Sequence, residues 1–151
     1  MMEKFMKAAI KQAKIGAKNY DEVPIGAVIV KDGKIIARAH NKKETKNCAN
    51  YHAEMVAIEK ACKVVGDWRL IGCDMYVTLE PCPMCVGAII NARLDNVYFG
   101  AYDEKAGALV SKCNLMEMKF NHYANYTGGI LEQECADLLS EYFKKKRGKV
   151  W

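Results

Sequence analysis

His52-Ala53-Glu54 and Pro81-Cys82-Pro83-Met84-Cys85 are the stretches of this chain whose residue types and spacing can do chemistry. Taken singly, each has an ordinary explanation. A lone histidine is commonly a satisfied polar residue, and Glu54 suits the first turn of a helix, where a carboxylate meets the helix dipole. Cys-x-x-Cys at a strand-to-helix junction also describes thioredoxin-like redox pairs. Together they read differently. Two thiolates three residues apart on one helix face can hold a single Zn²⁺, and the His52 imidazole adds a third ligand. Three protein ligands leave the fourth tetrahedral position open to water, the arrangement of a catalytic rather than a structural site. Glu54 can reach that water without being a ligand itself. The expectation is one Zn²⁺ per chain on His52, Cys82 and Cys85, with Glu54 as base and then acid.

The elements around these residues must bring the two stretches together. Apolar positions Met6, Ala9, Ile10, Ala13 and Ala17 predict a helix over 5–18. The apolar run 25–30, the hairpin signal Lys31-Asp32-Gly33-Lys34 and residues 35–40 predict two paired strands. Residues 41–50 are polar and irregular. A helix should open near His52 and stop at Gly66, placing the histidine at a helix N-terminus. Residues 75–79 read as a buried strand ended by Pro81, and Pro83 suits the first position of a helix running to Asn91. A strand over 96–99, a loop over 101–111 and a short strand near 124–126 follow. The last helix should cover 131–146, with Leu131, Cys135, Leu138, Leu139 and Phe143 as its apolar stripe. Both ligand groups thus sit at helix N-termini, whose partial positive charge favours thiolates. A hairpin followed by alternating helix and strand predicts a mixed sheet with helices on both faces.

Bulk properties narrow the class. With 151 residues the chain fits one domain spanning 1–151. Hydrophobic residues are 51% and charged residues 27%, enough for a packed core and against wholesale disorder. No apolar run is long enough for a membrane span, and the first residues lack a secretory signal, so no membrane and a cytoplasmic location are expected. Seven cysteines, an odd number, suit reduced thiols and metal ligands better than a disulfide framework. Cys62, Cys73, Cys113 and Cys135 fall in apolar or helical contexts and read as packing residues. The net charge of +5 is mild, but Lys144, Lys145, Lys146, Arg147 and Lys149 crowd the C-terminus. Such a tail is either a solvated helix end or a contact for nucleic acid.

His-x-Glu followed by Pro-Cys-x-x-Cys is the signature of zinc nucleobase deaminases. Further stretches narrow the resemblance: 22–28 (Glu-Val-Pro-Ile-Gly-Ala-Val), 76–82, 99–101, 103–108 (Asp-Glu-Lys-Ala-Gly-Ala), Asn121-His122 and Gly129-Ile130-Leu131. Over nearly its whole length the chain resembles the bacterial tRNA-specific adenosine deaminases. The resemblance implies a three-layer α/β/α cytidine-deaminase-like fold with a central five-stranded mixed sheet. It implies conversion of adenosine to inosine at the first anticodon position, with release of ammonia. It implies that Asn41 and Ala53 bind the target base, that a homodimer partner walls each site, and that Asp103, Lys105 and Arg147 lie near the tRNA anticodon loop.

Two departures stand out. The family usually has Asp-Pro-Thr-Ala before its His-Ala-Glu, where this chain has Cys48-Ala49-Asn50-Tyr51. It usually has Arg after Asn-His, where this chain has Tyr123. A free nucleobase or small heterocycle, such as guanine or cytosine, is therefore the alternative substrate. Cys48 could serve as a fourth ligand, which would close the site, or as a spectator thiol. A zinc-stabilised binding protein without chemistry is the reading from another class. It would leave Glu54 without a use.

Overall fold

A computed structural model describes residues 2–149; Met1, Val150, Trp151 and the Lys149 side chain lie outside the description. The elements run α1 (Met2–Tyr20), β1 (Gly26–Lys31), β2 (Lys34–His40), α2 (Lys43–Lys46), α3 (Ala53–Val65), β3 (Cys73–Leu79), α4 (Pro83–Asn91), β4 (Asn96–Ala101), β5 (Asn125–Thr127) and α5 (Glu132–Lys149). A single 3-10 turn, Leu115–Met118, lies between β4 and β5. The five strands form one sheet in the order β2-β1-β3-β4-β5. β1 is antiparallel to β2 and β3, whereas β3, β4 and β5 are parallel. This is the mixed sheet the alternation of elements predicts.

Each face of the sheet carries its own apolar cluster. Ala27, Ile29, Met75 and Val77 pack with Ala53, Ala57 and Ala61 of α3 and Val86, Ile89 and Ile90 of α4. Val28, Val30 and Tyr76 point the other way and pack with Phe5, Met6, Ala9 and Ile10 of α1 and Cys135 of α5. Alternate residues of one strand therefore enter opposite clusters, so β1 reads as a continuous apolar run rather than an alternating one. α1 sits close on β1 because Gly26 has no side chain: a Cβ there would lie 2.0 Å from the Ala9 carbonyl oxygen.

Several details differ from the sequence expectation. The stretch 41–50 contains the short α2, four residues without a side-chain cap and too short for periodicity to mark. Leu131 is not a helical stripe residue. It has φ 53°, in the left-handed region, and its carbonyl accepts the Cys135 N–H, so it turns the chain into α5. Phe143 is exposed and packs edge-on against Tyr142 rather than into the sheet. Cys113 is exposed too: it lies among Ser111, Lys112 and Asn114, and its N–H joins that of Lys112 on the Gly107 carbonyl. Cys73 and Cys135 are buried packing residues as expected, and Cys62 is half-buried.

Candidate active site

His52 and Cys82 are the N-cap residues of α3 and α4, with extended backbone at both positions. Neither side chain caps its own helix. Their carbonyls accept the first helical bonds, from Val56 and Val86, which leaves the imidazole and the thiol free to face one another. Pro83 at the first position of α4 fixes the turn after Cys82, and Cys85 follows one turn later on the same face. β3 delivers Cys82 at its C-terminal end, the end of a parallel sheet where ligands bind.

The ligand atoms of His52, Cys82 and Cys85 lie within 4.8 Å of one another. The His52 Nδ1 is 3.7 Å from the Cys82 Sγ and 3.6 Å from the Cys85 Sγ. Zinc bonds of about 2.3 Å to sulfur and about 2.0 Å to nitrogen, at the tetrahedral angle, put N and S about 3.5 Å apart. Both nitrogen–sulfur distances fit that spacing, and two thiolates with an imidazole are a donor set that suits zinc. Cys48 is half-buried and is not part of the trio.

Protons in this cluster are shared. Its interaction with Cys85 draws Cys82 down to about 4 against the opposing effect of burial, with His52 helping. Cys82 and burial push Cys85 far up, and Cys82 raises His52 against burial. A divalent cation entering the trio would displace the protons held there. Glu54 is 4% exposed, one residue into α3, with its side chain beside the Cys85 thiol. Burial pushes its carboxyl above the ordinary glutamate value, opposed by its own backbone N–H and by His52.

Asn41 and Ala53 lie in the same place. The buried Asn41 Oδ1 accepts the Ala53 N–H at 2.8 Å. A backbone N–H can only donate, so the amide orientation is fixed and Nδ2 is left as the donor. Asn41 therefore does what α3 lacks locally: it caps the first turn of the helix, from 12 residues upstream. His40, whose Nδ1 is 2.8 Å from the Asn41 carbonyl oxygen, precedes it.

Two buried glutamates, which carry no motif of their own, hold the loops beside the site. Glu22 accepts the Glu44 and Thr45 N–H groups and the Thr45 hydroxyl. Glu80 accepts the N–H groups of Asp103, Leu109, Val110 and Ser111 and the Ser111 hydroxyl. In both, burial raises the carboxyl pKa, but the hydrogen bonds outweigh it and hold the group below the ordinary value. The signal that could have found them is their place inside the stretches 22–28 and 76–82, which carry the family resemblance.

The loop that Glu80 anchors carries Asp103 and Lys105. Asp103 spends its Oδ1 on the Lys105 and Ala106 N–H groups, while Lys105 is exposed. The loop rests against the turn that leads into Cys82 and Cys85 through the Ala108 N–H on the Pro81 carbonyl. Arg147 lies apart from these residues in sequence and is exposed on α5. Nearby Lys146 and Tyr142 bind Asp21, and Lys145 and Lys146 line a groove of about 570 Å³ against α1.

Comparison with known proteins shows the family. The MafB19-like deaminase family model matches residues 2–147. The tRNA-specific adenosine deaminase of Bacillus subtilis is 52% identical over 97% of this chain and 91% of its own. A solved structure from work on A-to-I editing by tRNA:A34 deaminases at the wobble position superposes with a TM-score of 0.82. It is 42% identical, over 90% of this chain and 99% of its own. The Bacillus subtilis guanine deaminase gives a TM-score of 0.65 and 48% identity, over 66% of this chain and 64% of its own. With relatives this similar over nearly its full length, the chain belongs to the tRNA-specific adenosine deaminase family, among the MafB19-like deaminases.

Proposed function

We propose that this protein deaminates adenosine to inosine at the first anticodon position of tRNA, with one zinc ion on His52, Cys82 and Cys85. The observation that carries the reading is the His-Cys-Cys trio with the buried Glu54 against it. When bound there, zinc supplies the Lewis acid that makes water a nucleophile at neutral pH. Glu54 takes a proton from water and delivers it to a ring nitrogen, while the remaining hydroxide oxygen bonds to the carbon that carries the amino group. It then takes the proton of that new hydroxyl and gives it to the amino nitrogen as the C–N bond breaks, so water and adenosine become inosine and ammonia. Asn41 holds the entrance of α3 through Ala53 and offers Nδ2 to the base. A single-stranded loop suits such a site, because its base can be splayed out without breaking a duplex.

Asp103, Lys105 and Arg147 are assigned here to the RNA flanks. The reaction is placed in the cytoplasm, and no helix among the described residues is long and apolar enough to cross a membrane. We also assign a homodimer. Tyr102, Val110, Met118, Phe120 and Tyr123, all exposed between β4 and β5, support it as apolar surface for a partner. Sedimentation should give twice the chain mass of 17.0 kDa, and a monomer at micromolar concentration would remove this assignment.

Ammonia release from an anticodon stem-loop, run beside guanine, cytosine and adenosine, tests the substrate. Turnover of the stem-loop at least a hundredfold above every free compound is the expected result. Efficient turnover of a free base with none on the stem-loop would transfer the chain to the small-molecule deaminases. No ammonia from any substrate, with zinc present, would leave a binding protein.

A further inference from the structure

The reaction uses the start of α3 and the sulfur-facing side of its first turn. The outward side carries Glu59, Lys60 and Lys63, which fall on one face at helical spacing. The loop after β2 lays Lys42, Lys46 and Tyr51 against this face, and together they enclose a cleft of about 250 Å³. Four amines thus meet one carboxylate. Glu59 is 3.8 Å from Lys63, so Lys42, Lys46 and Lys60 have no ion-pair partner among the described residues.

The backbone that carries these lysines is held in place, and one of the amines is fixed as well. The Lys42 N–H donates to the Tyr51 carbonyl at 2.9 Å, and the Lys46 N–H donates to the Lys42 carbonyl at 2.9 Å. Lys60 Nζ donates to the Arg38 carbonyl at 2.8 Å, which fixes its amine at the cleft wall. Partial burial and the charge of Lys42 hold the Lys60 amine below the ordinary lysine range. Four like charges set against one carboxylate oppose folding, and an anion in the cleft would relieve them. The position is also informative. Tyr51 precedes His52 directly; it packs partly on the core and lines the cleft with the remainder. An amine cluster with one aromatic ring, starting one residue from the metal ligands, matches a phosphodiester with its base stacked beside it.

We propose that this cleft holds the phosphate and base of a nucleotide flanking the target, with Lys42, Lys46 and Lys60 on the phosphate and Tyr51 under the base. The proposal rests on the RNA reading given above.

The test uses the zinc-loaded enzyme and an anticodon stem-loop RNA. The double variant Lys42→Gln, Lys60→Gln should raise KM about tenfold near 0.1 M salt. It should also flatten the plot of log affinity against log salt by about 1.4, at ~0.7 per lost contact to a single strand. Zinc content and kcat at saturating RNA should stay at the native level. The control Lys11→Gln, Lys34→Gln removes the same charge from α1 and the hairpin and should leave the slope unchanged. Tyr51→Phe should keep the native KM, while Tyr51→Leu should raise it. A native slope in the Lys42/Lys60 variant overturns the proposal alone, as does an equal fall in the control. A native enzyme that deaminates only free bases overturns the RNA reading and the proposal with it.

Discussion

Glu54→Ala is expected to lower kcat/KM on the anticodon stem-loop by about 10⁴ while zinc stays at one per chain. The size follows from using one carboxyl twice, once to take a proton from water and once to give a proton to the leaving amine. The unchanged metal content follows from geometry, since Glu54 lies outside the trio whose ligand atoms are all within 4.8 Å of one another. Glu54→Gln separates the proton role from a structural one. The amide fills the same volume and can hydrogen-bond, but it cannot carry a proton between water and substrate, so it should be as inactive as alanine. Neither variant should melt below the native protein, because an ionisable acid that is 4% exposed costs stability where it stands. Cys82→Ala gives the opposite pattern: it removes a metal ligand, so zinc content, activity and melting temperature should fall together. A Glu54→Gln enzyme within tenfold of the native rate would show that another group moves the protons. Full zinc retention in both Cys82→Ala and Cys85→Ala would displace the metal assignment.

The grouping of His52, Cys82 and Cys85 was legible in the sequence because each part of it is local. Cys82 and Cys85 are separated by one helical turn, Pro83 marks where that helix starts, and His52 opens a helix that Gly66 closes in the left-handed conformation. The sheet was legible for a similar reason: hairpin and alternation are short-range patterns. The supports of the site are long-range and were not. Glu80 finds its donors 23 to 31 residues downstream, and Glu22 finds Glu44 and Thr45 22 and 23 residues away. Nothing in the composition of those loops marks them as donors, because the donating groups are backbone N–H, which every residue but proline carries. Asn41 shows the limit from another side. Its role at the base came only from the family resemblance, and the fold adds what no local pattern marks: its Oδ1 caps a helix 12 residues away, with one donor to spare. Cys113 was misread because apolar neighbours nearby in sequence outweighed the polar ones beside it.

Glu80→Ala is expected to destabilise the protein by about 3–4 kcal/mol in chemical denaturation. The side chain is 2% exposed, and its Oε2 alone accepts three N–H groups, from Leu109, Val110 and Ser111. Alanine leaves these donors without partners, that of Leu109 buried and the others partly so, at about 1–3 kcal/mol for each that water cannot reach. It also opens a void against Gly107, where even one added Cβ would lie 2.3 Å from the Glu80 carboxyl carbon. Glu80→Gln should lose about 1–2 kcal/mol. Its amide oxygen can keep the three N–H groups on one side, but its NH₂ then faces the Asp103 N–H, donor against donor. The Ser111 hydroxyl can turn to accept. The acid limb of the stability curve carries the same information. The folded carboxyl titrates below the ordinary glutamate value, so its contribution is complete above that value and is lost as pH falls through the folded pKa. Glu22 acts in the same direction, so acid stability should fall less steeply in Glu80→Ala without vanishing as an effect. Amide exchange locates the damage: protection at Leu109, Val110 and Ser111 should drop before that of β3 and β4. Because this loop lies on Pro81 through Ala108, KM for RNA should rise more than zinc affinity falls. Equal stability of native, Glu80→Gln and Glu80→Ala proteins, with unchanged exchange at those three amides, would mean that the carboxylate is not the anchor of the loop.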